Sequence, residues 1–247
     1  MTLLTAAVHN NAIWCDTVCR ALGCDTELVD GLWVNRSPSP PYYSNAVTLV
    51  PDAPEAQMRV VRSMLDGPLP RPWTIKDGFH DMDLALLGFE VLFQAEWVGL
   101  DAGTDVLDHE PRSTWSAAVD DSGLLAWEAA WRVANADAGA AGLPRLFQPA
   151  LLADPDIRFL AGREGGTIVA VAIANRTDDG SGPVVGISNI VLPAQEAARY
   201  RRDAVAAVRA AFPGLPVVGY EHGDDLAAMQ VLGFRSLGPL RVWTSPR

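Results

Sequence analysis

Apolar and polar positions along this chain follow the same succession of periods twice. In the first half the apolar run Ala46 to Val50 follows Tyr43-Ser44-Asn45 and ends at Pro51. In the second, Ile190 to Leu192 follows Ile187-Ser188-Asn189 and ends at Pro193. Short apolar runs bounded by turn residues predict buried strands. Each proline precedes a helical segment, Glu55 to Leu65 and Ala194 to Phe212, then a short strand, Trp73 to Lys76 and Val217 to Tyr220. An acid-capped helix ending in Leu-Gly-Phe comes next, Asp83 to Phe89 and Asp225 to Phe234, and a last strand ends near Trp97 and Trp243. From Asn45 to Gly88 is 43 residues and from Asn189 to Gly233 is 44; Phe89 to Trp97 spans 8 and Phe234 to Trp243 spans 9. Matched spacings of this kind mark an internal repeat, here of a β-α-β-α-β unit.

More elements precede each unit. Residues Asn10 to Leu22 predict a helix in the first half. In the second, Ser122 to Ala136 predicts one with an apolar face of Leu125, Trp127, Ala130, Trp131 and Ala134, capped by Asp121 or Ser122. Ile157 to Leu160 and Thr167 to Asn175 read as a hairpin around Gly165-Gly166, and the turn Thr177 to Pro183 leads into a strand over Val184 to Leu192. The acidic, Gly- and Pro-containing stretch Asp101 to Arg112 reads as a linker, giving units over 1–100 and 113–247. Ser37 to Pro41 reads as a rigid extended turn.

Composition narrows the function classes. With 247 residues and 49% apolar content, the chain can bury a substantial core. Thirty acids against 19 bases give a net charge of −11, which opposes binding to nucleic acid or an anionic membrane surface. A small anionic ligand in a local basic pocket stays compatible with that sign. Eighteen of the 19 bases are Arg, and Lys76 is the only lysine, a bias that reads as codon usage without mechanistic weight. No apolar run approaches the ~18 residues of a membrane span, and Met1 to Asn11 lacks the pattern of a signal peptide. The expected location is the cytoplasm. Cys15, Cys19 and Cys24 are odd in number and match no zinc or iron–sulfur spacing, so they read as free buried thiols.

Val184 to Leu192, Val217 to Tyr220, the Asp225 to Phe234 helix and the strand Leu237 to Trp243 resemble the fourth strand, fifth strand, last helix and last strand of a GNAT (Gcn5-related N-acetyltransferase) domain. The first half is similar to a shortened copy. The resemblance implies an α/β (α+β) fold of two tandem GNAT-like units, each a mixed, mostly antiparallel sheet flanked by helices. It implies acetyl-CoA as cofactor, entering a splay between the fourth and fifth strands, with its pyrophosphate at the N-terminus of the following helix. On that basis Ile190, Val191, Leu192, Arg199, Arg201 and Arg202 are candidate cofactor-binding residues, and acyl transfer to a small amine is the implied activity.

The chain departs from the family pattern in two places. The glycine-rich phosphate loop is replaced by Pro193 to Arg202, without glycine, and in the first half by Pro51 to Gln57, which carries Asp52 and Glu55. Carboxylates repel a pyrophosphate, so the first unit reads as non-catalytic. Arg199, Arg201 and Arg202 either bind phosphate by charge or solvate a helix face. The tyrosine that many family members place four residues before the Gly of Gly-Phe is Met229 here, and Leu84 in the first half. Neither can give up a proton. These departures support an alternative function, a non-catalytic small-molecule or partner-binding module with a lost active site.

Tyr220-Glu221-His222 ends a predicted strand, where groups line a ligand crevice. Glu221 or His222 is the candidate base toward an amine, and Tyr220 the candidate acid; a wet strand-end turn is the bland alternative. Ser188 and Asn189, like Ser44 and Asn45, sit where unpaired polar groups are costly. They either contact a ligand amide or hydrogen-bond within the sheet. His80 and His109 lie in acidic loops without metal-ligand spacing, so no metal is expected, and His9 reads as a cap neighbour of the first helix. The eight tryptophans suit packing, although Trp33, Trp73 and Trp97 could line a cleft between the halves. A homodimer through the tandem halves is a further expectation.

Overall fold

A computed structural model describes residues 2–104, 111, 113–136, 139, 142–180 and 182–246. His109 lies outside the described residues. Helix α1 (Leu3–Ala21) begins well before Asn10, because Thr2 Oγ1 accepts the Thr5 amide at 3.2 Å and fixes an earlier N-terminus. His9 is therefore within the helix and does not neighbour a cap. Its Nδ1 lies 2.7 Å from Asp179 Oδ2 and its Nε2 2.8 Å from the Leu49 carbonyl.

The chain continues through β1 (Thr26–Val29), β2 (Leu32–Asn35), β3 (Ala46–Thr48), α2 (Pro54–Leu65), β4 (Thr74–Asp77), a 3₁₀ turn over Leu84–Leu87 and β5 (Glu90–Leu100). Then come β6 (Thr114–Ala117), α3 (Asp121–Ala134), β7 (Ile157–Glu164), β8 (Thr167–Thr177), β9 (Val184–Val191), α4 (Ala197–Ala211), β10 (Val217–Glu221), α5 (Gly223–Val231) and β11 (Arg235–Thr244). The strands form one sheet in the order β1-β2-β3-β4-β11-β5-β10-β9-β8-β7-β6. From β1 inward the pairings run antiparallel, antiparallel, parallel, antiparallel; from β7 inward they run the same way. The centre is the antiparallel pair β5–β11. Each half thus places its last strand beside the other half's sheet: β11 on β4 and β5 on β10.

The Ser-Asn pairs do not superpose in this arrangement. Asn45 immediately precedes the residues of β3 that pair with β4, whereas Asn189 lies beyond those of β9 that pair with β10. The likeness of Ser44-Asn45 to Ser188-Asn189 marks the element and misses its register, because a short motif cannot report which part of a strand is paired. Asn45 is buried and donates from Nδ2 to the Asn35 and Ser37 carbonyls, at 3.3 and 3.0 Å. Its role is to hold the Ser37 to Pro41 turn.

Helices α1 and α3 cover one face of the sheet, and α2, α4 and α5 the other. The α3 cap is Asp120, which accepts the Gly123 amide at 2.8 Å, in place of the expected Asp121 or Ser122. The buried stripe of α3 is Leu124, Trp127, Glu128 and Trp131, and Leu125 is exposed. Trp127 anchors it, packing edge-on to Phe147 and Phe159 and donating its indole N–H to the Leu160 carbonyl at 2.8 Å. Glu128 takes an inner position with its Oε1 accepting from Arg132 and the Leu146 amide. The Leu-Gly-Phe endings behave as expected: Gly88 (φ +80°) and Gly233 (φ +92°) close the preceding turns in the left-handed region.

No helix among the described residues is long and apolar enough to cross a membrane. Cys15 and Cys19 are buried on α1, and Cys24 is half-buried. Burial raises the thiol pKa of all three. Alkylation with iodoacetamide at pH 8, read by mass spectrometry, should therefore modify Cys24 first and leave Cys15 and Cys19 until the protein unfolds. Rapid native modification of Cys19 would contradict this packing.

Candidate functional site

The sheet opens at one place in the second half. Strands β9 and β10 pair only at Val185–Val217 and Gly186–Val218, after which they diverge. A bulge causes the divergence. On β9 the residues between Ser188 and Val191 outnumber those between Ile173 and Val171 on β8, and Asn189 adopts φ +52° to absorb the extra residue. The bulged strand bends away from β10 and leaves a cavity of about 510 Å³, a volume typical of small-molecule sites.

Most of the expected site residues line this cavity. Ser188, Asn189, Ile190, Val191 and Leu192 form the β9 wall, and Tyr220 and Glu221 the β10 wall. Asn189 donates from Nδ2 to Ser188 Oγ at 3.2 Å, so the two polar side chains partly satisfy each other. Arg201 also lines the cavity from α4, whereas Arg199, Arg202 and His222 do not. Arg199 is exposed and paired with Glu196 at 3.0 Å. His222 is exposed, its ring 5.8 Å from that of Phe93. Arg201 is buried and ion-paired with Asp225.

Glu221 is the perturbed group. Burial pushes its carboxyl from 4.5 up to about 7, Asp225 adds to the rise, and Arg201 opposes it. Tyr220 beside it packs edge-on to Trp97 of β5, with ring centroids 5.4 Å apart. The exchange of last strands therefore puts a first-half side chain under the second-half site.

The first half supplies more of the wall. Asn10, Asn11, Trp14 and Cys15 come from α1, and Lys76 from β4. Lys76 donates from Nζ to Asn11 Oδ1 at 2.6 Å, with its ammonium 4.3 Å from the Tyr220 ring centroid. Sequence reasoning gave Lys76 no role; the signal available was the chain's solitary lysine inside a predicted strand. Asp225 was named only as a helix residue, although its spacing of four from Glu221 invites coupling. Trp33, Trp73 and Trp97 do not line one cleft. All three are buried, Trp97 at this cavity and Trp73 at a second. Met229 and Leu84 are fully buried in the core. Among the described residues no cluster of His, Cys, Asp and Glu is placed to hold a metal.

Several solved structures share this architecture. A GCN5-related N-acetyltransferase from Kribbella flavida superposes with a TM-score of 0.60 at 14% identity, over 96% of this chain and 95% of that one. The fold is that of the GCN5-related N-acetyltransferases. A conserved protein of unknown function from Staphylococcus epidermidis gives a TM-score of 0.59 at 12% identity, covering 90% and 94%. A GNAT-family acetyltransferase from Colwellia psychrerythraea gives 0.51 at 12%, covering 88% and 81%. No protein-family profile and no curated relative matches the sequence. The likeness to the GNAT structures thus lies in the fold.

Two stretches of backbone at the splay are open to a ligand. The stretch Ile190 to Leu192 runs along the cavity free of pairing to β10, and Ala197 at the start of α4 lines the same space. The Arg199 and Tyr200 amides already bond to the Glu196 carbonyl, so the amides ahead of them are the ones a phosphate could meet. Glu196 sits at this helix start with φ +61°, and its ion pair with Arg199 offsets its charge there.

Proposed function

We propose that this protein is an acyl-CoA-dependent N-acyltransferase that modifies a small amine in the second-half cavity. The observation that carries the reading is Glu221, a carboxyl poised at about pH 7 on the wall of the β9–β10 splay. A general base is most effective when its pKa lies near the working pH. Acyl-CoA, when bound, supplies an activated acyl group. The backbone of Ile190 to Leu192, on its edge free of β10, would hold its thioester arm, and the start of α4 its phosphates, by helix dipole in place of a glycine cradle. Arg201 then has two roles, pairing Asp225 and tempering the rise of Glu221; Arg199 and Arg202 stand outside the cavity.

In the transfer, the amine nitrogen forms a bond to the acyl carbon and the carbon–sulfur bond breaks. Glu221 takes the proton that the amine loses. Tyr220 is the candidate proton donor to the departing thiolate, since Met229 cannot serve. His222 is a secondary candidate base at the exposed rim. A β9 amide at the bulge is available to the developing negative charge on oxygen.

A rival reading, a binding module with a lost active site, draws on the glycine-free loop and on Met229. Thermal unfolding separates the two. A ligand at 100 times its dissociation constant stabilises by about 2.7 kcal/mol, which for a chain of this size raises Tm by roughly 5–10 °C. Millimolar acetyl-CoA should produce a rise of that order. The absence of any rise would overturn the acyltransferase reading.

A further inference from the structure

A second cavity of about 610 Å³ shares Tyr42, Tyr43, Lys76 and Tyr220 with the first. Apart from Arg71, its remaining walls are apolar or neutral: the proline-rich turn from Pro38 to Pro41, Pro70 and Pro72, Trp73, Leu92, Phe93 and Val242 among them. No Asp or Glu among the described residues lines it, although the protein carries a net charge of −11. Its cations are Arg71, exposed at the rim and donating to the Leu65 carbonyl, and Lys76.

Lys76 is 5% exposed, and no carboxylate among the described residues lies within ion-pairing distance of it. Its contacts are the Asn11 amide oxygen and the face of Tyr220. A buried ammonium without a counter-charge is expensive. Nothing in the sheet calls for one here, since the cross-strand neighbours of Lys76 are Val47 and Val242. A methionine would fill the same strand position at lower cost. The cation therefore points to an anionic ligand group at the boundary between the two cavities.

We infer that the accepted amine is an α-amino acid with a bulky apolar side chain, its carboxylate held by Lys76 and its side chain in the second cavity. The inference rests on the acyltransferase reading and deepens it. Carboxylate and amine share one carbon in such a molecule. A carboxylate at Lys76 thus leaves the amine beside Tyr220, whose side chain lines both cavities. Tyr43, Trp73 and Phe93 give the side chain an aromatic surround. Lys76 acts here as a specificity-determining residue, binding the ligand without joining the chemistry.

Calorimetric titration of the full chain with L-phenylalanine and with 2-phenylethylamine tests this, since the two share the amine and the ring and differ in the carboxylate. A hydrogen-bonded charge pair in a dry site should favour L-phenylalanine by about tenfold or more. In Lys76→Met the two ligands should bind alike. Equal affinities in the wild-type protein, or no binding of L-phenylalanine, overturn the inference whether or not the variant folds. So does a preference for the acid that survives in Lys76→Met. L-phenylalanine binding by a protein that acetyl-CoA leaves unstabilised would sink the acyltransferase reading and leave the carboxylate pocket standing; the reverse pattern would sink the pocket alone.

Discussion

Glu221→Gln should lower the rate of acyl transfer by about 10²- to 10⁴-fold while raising the melting temperature at pH 8. The two effects have one cause. The wall of the splay strips water from the carboxyl and sets it near Asp225, so the ionised form is penalised in the folded protein. The folded pKa, about 7, lies above the ordinary value of 4.5. Stability from this group is therefore fully present below pH 4.5, declines as pH rises, and is lost above about 7. Glutamine removes that penalty, so the variant's advantage in melting should be absent at pH 4 and present at pH 8. In the wild type, kcat/KM should rise with pH through a step near 7, and the variant should lack the step. A variant that melts like wild type at both pH values, with activity intact, would remove Glu221 from the site.

The candidate site combines both halves of the chain, and that follows from the strand order. β5 and β11 exchange places at the centre of the sheet, which sets Trp97 against Tyr220 and brings β4, with Lys76, to the edge of the second-half cavity. Helix α1 closes the same space with Asn10, Asn11 and Trp14. The first half thus has a role as the wall of its neighbour's pocket. An isolated second half would lack β5 against β10 and much of the cavity lining.

What the sequence revealed divides along the range of the interactions. The order of the elements around the two Leu-Gly-Phe turns was readable, because apolar runs, prolines and such turns are local signals; β1, β2 and β6 went unread, and the helix expected over Asp83 to Phe89 is a 3₁₀ turn. The positions of Tyr220, Glu221, Ser188 and Asn189 on one crevice were readable too, since strand ends at a splay converge. Register was not: Asn45 and Asn189 look alike in a string but occupy different parts of their strands. Caps were misplaced by a residue at α3, where Asp120, Asp121 and Ser122 compete for one amide. The roles of Lys76 and Asn10 depend on contacts between residues far apart in sequence, and no spacing rule reports those. Arg201 shows the same limit, since only the packing of α4 against α5 assigns it to Asp225.

The contact that seats α1 on the sheet is the most sensitive to a single methyl group. Gly186, the last residue of β9 paired with β10, faces Asn10: a Cβ there would stand 2.0 Å from Asn10 Oδ1 and 2.6 Å from Asn175 Oδ1. Asn10 is buried and donates from Nδ2 to the Asn175 carbonyl at 2.9 Å and to Thr177 Oγ1 at 3.0 Å. Gly186→Ala must push that amide out of its site. Overpacking in a tight core and the loss of a buried hydrogen-bonded amide together should cost about 4 kcal/mol. For a chain of this length that lowers Tm by roughly 8–16 °C. The double variant Gly186→Ala with Asn10→Ala is the decisive comparison. Asn10→Ala removes the closer of the two clashes that the new methyl makes, so the pair should be at least about 1 kcal/mol more stable than the sum of the single changes. Additive losses would mean that the two residues do not meet, and α1 would then need another position over the splay.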